Sequence, residues 1–125
     1  MDEKELNKYY YLKKEIQDLE DTLKEFGYGI KSTQIKDISV SSSHINKSVQ
    51  EKYMELESRL IERRISALEQ YIKIEQFIGE IDDPEIRLIV ESRFIKCMKW
   101  EDIGKKVNSD RTTAYRKLKK FLENI

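Results

Sequence analysis

The stretch Lys99-Trp100-Glu101-Asp102-Ile103-Gly104-Lys105-Lys106-Val107-Asn108-Ser109-Asp110-Arg111-Thr112-Thr113-Ala114-Tyr115-Arg116-Lys117-Leu118 decides the reading of this chain. Trp100, Ile103 and Val107 recur at helical spacing and give one short apolar face. Gly104 sits beside Ile103. A glycine inside a helix costs about 1 kcal/mol against alanine, so its presence implies that a second helix crosses very closely there. Asn108-Ser109 is turn chemistry, and Ser109 or Asp110 can cap the next helix through a side-chain oxygen. Ala114 supplies a second small residue for the crossing. Two short helices joined this way have the spacing of a helix-turn-helix, which projects the outer face of its second helix into a DNA major groove.

The second helix has the residues such a face requires. Ala114, Leu118, Phe121 and Leu122 line one side, and Arg111, Thr112, Tyr115, Arg116 and Lys119 occupy the other. Arginine can fork onto a guanine edge, and threonine can meet a phosphate or a thymine methyl. Arg111, Thr112 and Arg116 lie near the first two turns, where base edges are reached. Lys105, Lys119 and Lys120 lie at the periphery, where phosphates are met. Residues 105–120 carry seven basic side chains and one acid, net +6. A basic helix face is often merely solvated. The spacing, the small residues and the charge together point to double-stranded DNA.

Whole-chain neutrality hides this polarity. The 125 residues have formal net charge +0, but residues 84–125 hold eleven basic and six acidic groups, net +5, and residues 1–83 are correspondingly net −5. With 38% charged residues and a mean hydropathy of −0.73, long, mostly solvated helices fit better than a broad core. One proline and four glycines agree with uninterrupted helices. Cys97 is the only cysteine, so neither an intramolecular disulfide nor a cysteine-based metal set is available; it reads as a small apolar filler beside Met98. The first residues are charged and no apolar run approaches a membrane span, so the expected location is the cytoplasm, with no membrane partner.

The periodicity predicts an all-α chain: a long N-terminal helical hairpin or coiled coil, then a C-terminal three-helix unit of helix-turn-helix type. The first helix should run from about Glu3 to Phe26, with a heptad stripe at Leu12, Ile16, Leu19, Leu23 and Phe26, ended by Gly27 and Gly29. In Tyr9-Tyr10-Tyr11 one or two rings should pack on the core. Residues 27–46 read as a flexible linker, with Thr33, Ser39, Ser41, Ser42 and Ser43 and a solvated His44. The second helix should run from Ile45 or Asn46 to Ile81. Its stripe starts at Val49, Tyr53, Leu56 and Leu60, then moves to Ile61, Ile65, Leu68 and Ile72, and finishes at Ile74, Phe77, Ile78 and Ile81. Such a stripe has two faces to bury, which implies a homo-oligomer, a dimer through the long helices. Domains are thus expected at 1–81 and 82–125. Asp82-Asp83-Pro84 should end one helix and cap a support helix, Glu85 to about Lys96, that buries Ile86, Ile89, Val90 and Phe94.

On these residues, Arg87 to Leu122 resembles the −35-reading domain (region four) of bacterial sigma factors. The layout is most similar to the RinA/ArpU-like regulators of phages and prophages in low-GC Gram-positive bacteria. The matching residues are Arg93-Phe94, Trp100-Glu101-Asp102-Ile103-Gly104 and Thr113-Ala114-Tyr115-Arg116. Gly104 replaces a usual alanine, and Ala114 stands where a β-branched residue is common. Over the first eighty residues the similarity is architectural only. The resemblance implies transcription regulation, often of late phage genes; the leading expectation is a regulator that works as a helical dimer or alongside RNA polymerase, with Thr113 also among the expected DNA-binding residues.

The competing reading is a small terminase-like DNA-packaging subunit, which also joins a helix-turn-helix to oligomerising helices but usually places it first. An enzyme finds no support: there is no phosphate-binding glycine loop, no metal-ligand spacing and a single histidine, so no cofactor is expected. A pure coiled-coil adaptor would account for residues 1–81 but not for the charge polarity.

Overall fold

The computed structural model describes the backbone of residues 1–29 and 43–125 and the side chains of 1–26 and 48–125. The Ser-rich run, Thr33 and His44 therefore lie outside the described side chains. The chain is all-helical, with no strand among the described residues: α1 (Glu3–Gly29), α2 (Ser43–Gly79), α3 (Pro84–Val90) continued by a π turn (Glu91–Ile95), α4 (Trp100–Lys106) and α5 (Arg111–Glu123). The two long helices reach further into the predicted linker than expected. Gly27 does not stop α1, and α2 begins at Ser43. The chain forms two compact units, Leu12–Ser66 and Met1–Tyr11 with Ala67–Ile125.

In the unit Leu12–Ser66, Leu12, Ile16, Leu19 and Leu23 are half-buried and Phe26 is exposed. Leu60 is buried. Charged pairs tie the helices together: the Arg63 guanidinium donates to Glu15 Oε2 at 2.7 Å, and Arg64 lies 3.5 Å from Glu20. Exposed ion pairs of this kind contribute little individually.

The inner stripe of α2 differs from the predicted one. It continues without drifting through Tyr53, Leu56, Leu60, Arg63, Ala67, Gln70, Ile74 and Phe77 to Ile81 just beyond the helix, alternating steps of three and four. Ile61, Ile65, Leu68 and Ile72 lie on another side and are 46–60% exposed. The inner positions between Leu60 and Ile74 are filled by an arginine, an alanine and a glutamine. Arg63 turns its head to Glu15. Buried Gln70 donates to the Glu5 carbonyl at 2.7 Å, which satisfies an amide that could not otherwise be buried cheaply.

The other unit holds a core of Leu6, Ile74, Ile81, Ile86, Ile89, Val90, Phe94, Ile103, Ala114 and Leu118. At its N-terminus, Asp2 Oδ1 accepts the Glu5 amide at 2.7 Å. Tyr9 packs its ring against Tyr71 at 5.8 Å, and Tyr11 is exposed. The helix start at Asp83-Pro84 has the expected geometry, with Asp83 Oδ1 accepting the Glu85 amide at 2.9 Å and proline in the first turn. Ile86, Ile89 and Val90 are buried as their spacing requires. The predicted single helix to Lys96 instead widens into the π turn, which turns Ser92 and Phe94 inward. Cys97, with φ 57°, ends it in the left-handed region, and the Met98 amide donates back to the Ser92 carbonyl at 3.0 Å.

α4 meets the turn before α5 at Gly104. A Cβ there would lie 2.8 Å from the Ser109 oxygen, 2.9 Å from the Asp110 carbonyl carbon and 3.0 Å from the Arg111 nitrogen. The close approach inferred from sequence exists, but the approaching atoms belong to the turn and the first residue of α5. All of them are backbone, so none can swing aside. The Ser109 amide donates to the Gly104 carbonyl at 2.8 Å, and Asn108 takes φ 56°, a value asparagine tolerates.

Gly104→Ala is expected to lower the thermal unfolding midpoint of the full chain. Overpacking costs about 1–3 kcal/mol, and improved helix propensity returns at most about 1 kcal/mol. An unchanged or raised midpoint would show that the turn relaxes freely.

Candidate nucleic-acid interface

The first turn of α5 is held by Asp110. Its backbone is extended, and Oδ1 accepts the Thr113 amide at 2.7 Å. That amide, and then the Thr113 hydroxyl, hold the carboxyl below the ordinary aspartate range; desolvation opposes the shift, and Arg116 and the Thr112 amide assist it. Of the two caps the sequence offered, Asp110 is the one whose side chain bonds the helix.

The inner face of α5 is fixed at four points. Ala114 and Leu118 are buried in the core. Lys117 Nζ lies 2.7 Å from Glu85 Oε1 on α3. The Phe121 ring sits 6.3 Å from that of Phe77. This anchoring decides what is left outside: Arg111, Thr112, Thr113, Arg116, Lys119 and Lys120 are all exposed. At about 100° per residue, Thr112, Arg116 and Lys119 share one stripe, with Thr113 and Lys120 beside it. Arg116 occupies its middle. Lys105 is exposed at the end of α4.

Tyr115, expected on the outer face, is half-buried. Its ring stands edge-on to Trp100 at 5.3 Å and 89°. Trp100 in turn receives the Arg93 guanidinium at 5.3 Å from its ring centroid, and Arg93 also donates to the Met98 carbonyl at 2.9 Å. Edge-to-face and cation–π contacts each add modest directional stabilisation beyond area burial. Tyr115 therefore braces α5 against α4.

Charge counting credits two lysines that are already engaged. Lys117 pairs with Glu85, and Lys106 Nζ donates to buried Ser92 Oγ at 3.3 Å. Desolvation, with repulsion from Lys96, lowers the Lys106 pKa. No local spacing signals either contact, because the partners lie 32 and 14 residues away in sequence. Cys97 is half-buried, with Sγ 3.8 Å from the Ile95 carbonyl.

No family model, curated protein or solved structure matches this chain. Among the described residues, no helix is long and apolar enough to cross a membrane, and no group of three or more His, Cys, Asp or Glu side chains could hold a metal ion. What distinguishes the face is its chemistry: cations and hydroxyls on a helix whose opposite side is locked.

The lowered Asp110 value sets a pH dependence. A carboxyl with a depressed folded value stabilises fully above its ordinary range, and that contribution is lost as pH falls through the folded value. Asp110→Ala should therefore destabilise the chain most near neutrality, and the gap to the native sequence should close as pH falls below the ordinary aspartate range. Urea midpoints compared across that range test this; a constant gap would mean that the charge of Asp110 plays no part.

Proposed function

We propose that this chain is a cytoplasmic, sequence-specific DNA-binding transcription regulator of the phage or prophage type that its C-terminal third resembles. In this reading α4 and α5 act as a helix-turn-helix with α3 as the support helix, and α5 enters the major groove. The observation that carries it is the one-sided anchoring of α5: Ala114, Lys117, Leu118 and Phe121 hold the inner face, which leaves Arg116 exposed between Thr112, Lys119, Thr113 and Lys120. A locked helix with a projecting arginine can present a fixed fork to a guanine edge. Exposed Lys105, Lys119 and Lys120 supply the phosphate contacts that set register. α1 and α2, folded as a hairpin, would carry self-association, and RNA polymerase is the proposed second partner.

The test is selection of a preferred duplex by the full chain from a random pool, followed by titrations of two variants. Arg116→Ala should cost about 1–3 kcal/mol on the selected site and relax one base position. Lys119→Ala should weaken all sequences alike and reduce the log–log salt slope by about one. A salt-independent affinity removes the nucleic-acid reading. Equal loss on selected and scrambled duplexes reassigns Arg116 to a phosphate.

A further inference from the structure

Along residues 111–120 of α5 the exposed side chains are Arg111, Thr112, Thr113, Arg116, Lys119 and Lys120. None carries an amide or a carboxylate. That matters for a helix in a major groove, because every base edge asks for its own chemistry. Adenine is met by the paired donor and acceptor of Asn or Gln, and the cytosine amino group by the carboxylate of Asp or Glu. Guanine N7 and O6 are met by arginine, and the thymine methyl by an apolar group such as the methyl of threonine. The carboxylate that starts α5 is occupied: Asp110 Oδ1 accepts the Thr113 amide at 2.7 Å, and the Thr113 hydroxyl bears on the same group. Thr113 is thereby committed to the cap. Glu101 and Asp102 are exposed, but they open α4, the helix that crosses the backbone in a helix-turn-helix.

Two base readers share the central stripe. Among the described residues, neither the Thr112 side chain nor the Arg116 guanidinium forms a hydrogen bond or a salt bridge within the chain. Arg116 follows Thr112 by four residues, about 6 Å along the helix axis. Successive base pairs are about 3.4 Å apart, so side chains at this separation meet pairs within about two steps of one another. Thr112 lies at the start of α5, where recognition helices come closest to base edges, so its short side chain can reach one. The longer Arg116 spans the greater distance from the second turn. Arg111 lies about 100° off the stripe and offers only the same guanine chemistry.

We propose that the DNA site of this chain is specified by a guanine that Arg116 reads and by a thymine, within about two base pairs of it, whose methyl meets the methyl of Thr112. The proposal rests on the DNA-binding reading above and adds the base class to it. Adenine and cytosine enter the site only as the partners of those two bases, since α5 exposes no side chain over residues 111–120 that matches their own edges. The two contacts differ in kind. Arg116 makes two charge-assisted hydrogen bonds, and Thr112 removes one methyl surface from water, so the guanine should dominate and the thymine should refine.

The experiment takes the duplex that the full chain selects from a random pool and changes single groups of the DNA. 7-Deazaguanine removes the N7 acceptor and keeps the base pair; at one guanine it should weaken binding about fivefold or more. Arg116→Ala should be indifferent to that exchange. Deoxyuridine in place of the thymine removes only the methyl and should weaken binding about fourfold. Thr112→Ser, which lacks the methyl, should lose this sensitivity, and Thr112→Val, which lacks the hydroxyl, should keep it. Both variants should retain the native circular dichroism spectrum, since Thr112 is exposed. 7-Deazaadenine opposite the thymine should change nothing. A selected site that tolerates deoxyuridine, a thymine sensitivity that survives in Thr112→Ser, or a loss with 7-deazaadenine overturns the base assignment and leaves the DNA-binding reading standing. Absence of salt-dependent binding to any duplex overturns both.

Discussion

The turn between α4 and α5 folds over its helix so closely that position 104 has no room for a Cβ. Everything proposed for the C-terminal segment depends on that absence. The Ser109 amide reaches the Gly104 carbonyl at 2.8 Å, and the chain must then leave the turn at Asp110 in an extended conformation suited to capping. Once α5 starts there, Ala114 and Leu118 fall into the core and Lys117 comes within reach of Glu85. The outward face is a geometrical remainder of those three contacts. A larger residue at 104 would move the origin of α5 and re-aim Arg116 without touching it.

Much of the C-terminal unit was legible because its signals are local. Asp83-Pro84, the Asp110 cap and the spacing of Ile86, Ile89 and Val90 are chemistry within a turn or two of helix. The features that escaped are long-range or polar. Apolar periodicity overlooks Arg63, Ala67 and Gln70, so it carried the stripe of α2 past Leu60 onto a neighbouring track, Ile61 to Ile72. The π turn has no compositional signature at Glu91–Ile95 and shows only in the register of the backbone. Within the candidate site, residue types marked the side of α5 that is exposed. They could not tell a solvated cation from Lys117 or Lys106, or an outward tyrosine from one set against Trp100.

Helix α2 shows how a highly charged chain builds an interior from few apolar groups. Its covered side mixes Leu60 and Ile74 with an alanine and a hydrogen-bonded glutamine. An amide seated on a carbonyl specifies register more strictly than another leucine would, since a slip leaves the buried amide unpaired. The larger aliphatic residues are thereby left on the open side. Burial and hydrophobicity part company along this helix, which is why its two sides must be read separately.

The Arg93–Trp100–Tyr115 stack has an optical consequence. The chain contains one tryptophan, and it sits on α4 with a guanidinium over its ring and the edge of an α5 tyrosine beside it. Its indole is half-shielded from water and faces two polarising groups, so its emission wavelength reports on how α4 and α5 are seated. Any ligand that shifts Tyr115 perturbs that signal directly. The molecule thus carries an intrinsic fluorophore at the joint where a change in α5 would first be felt.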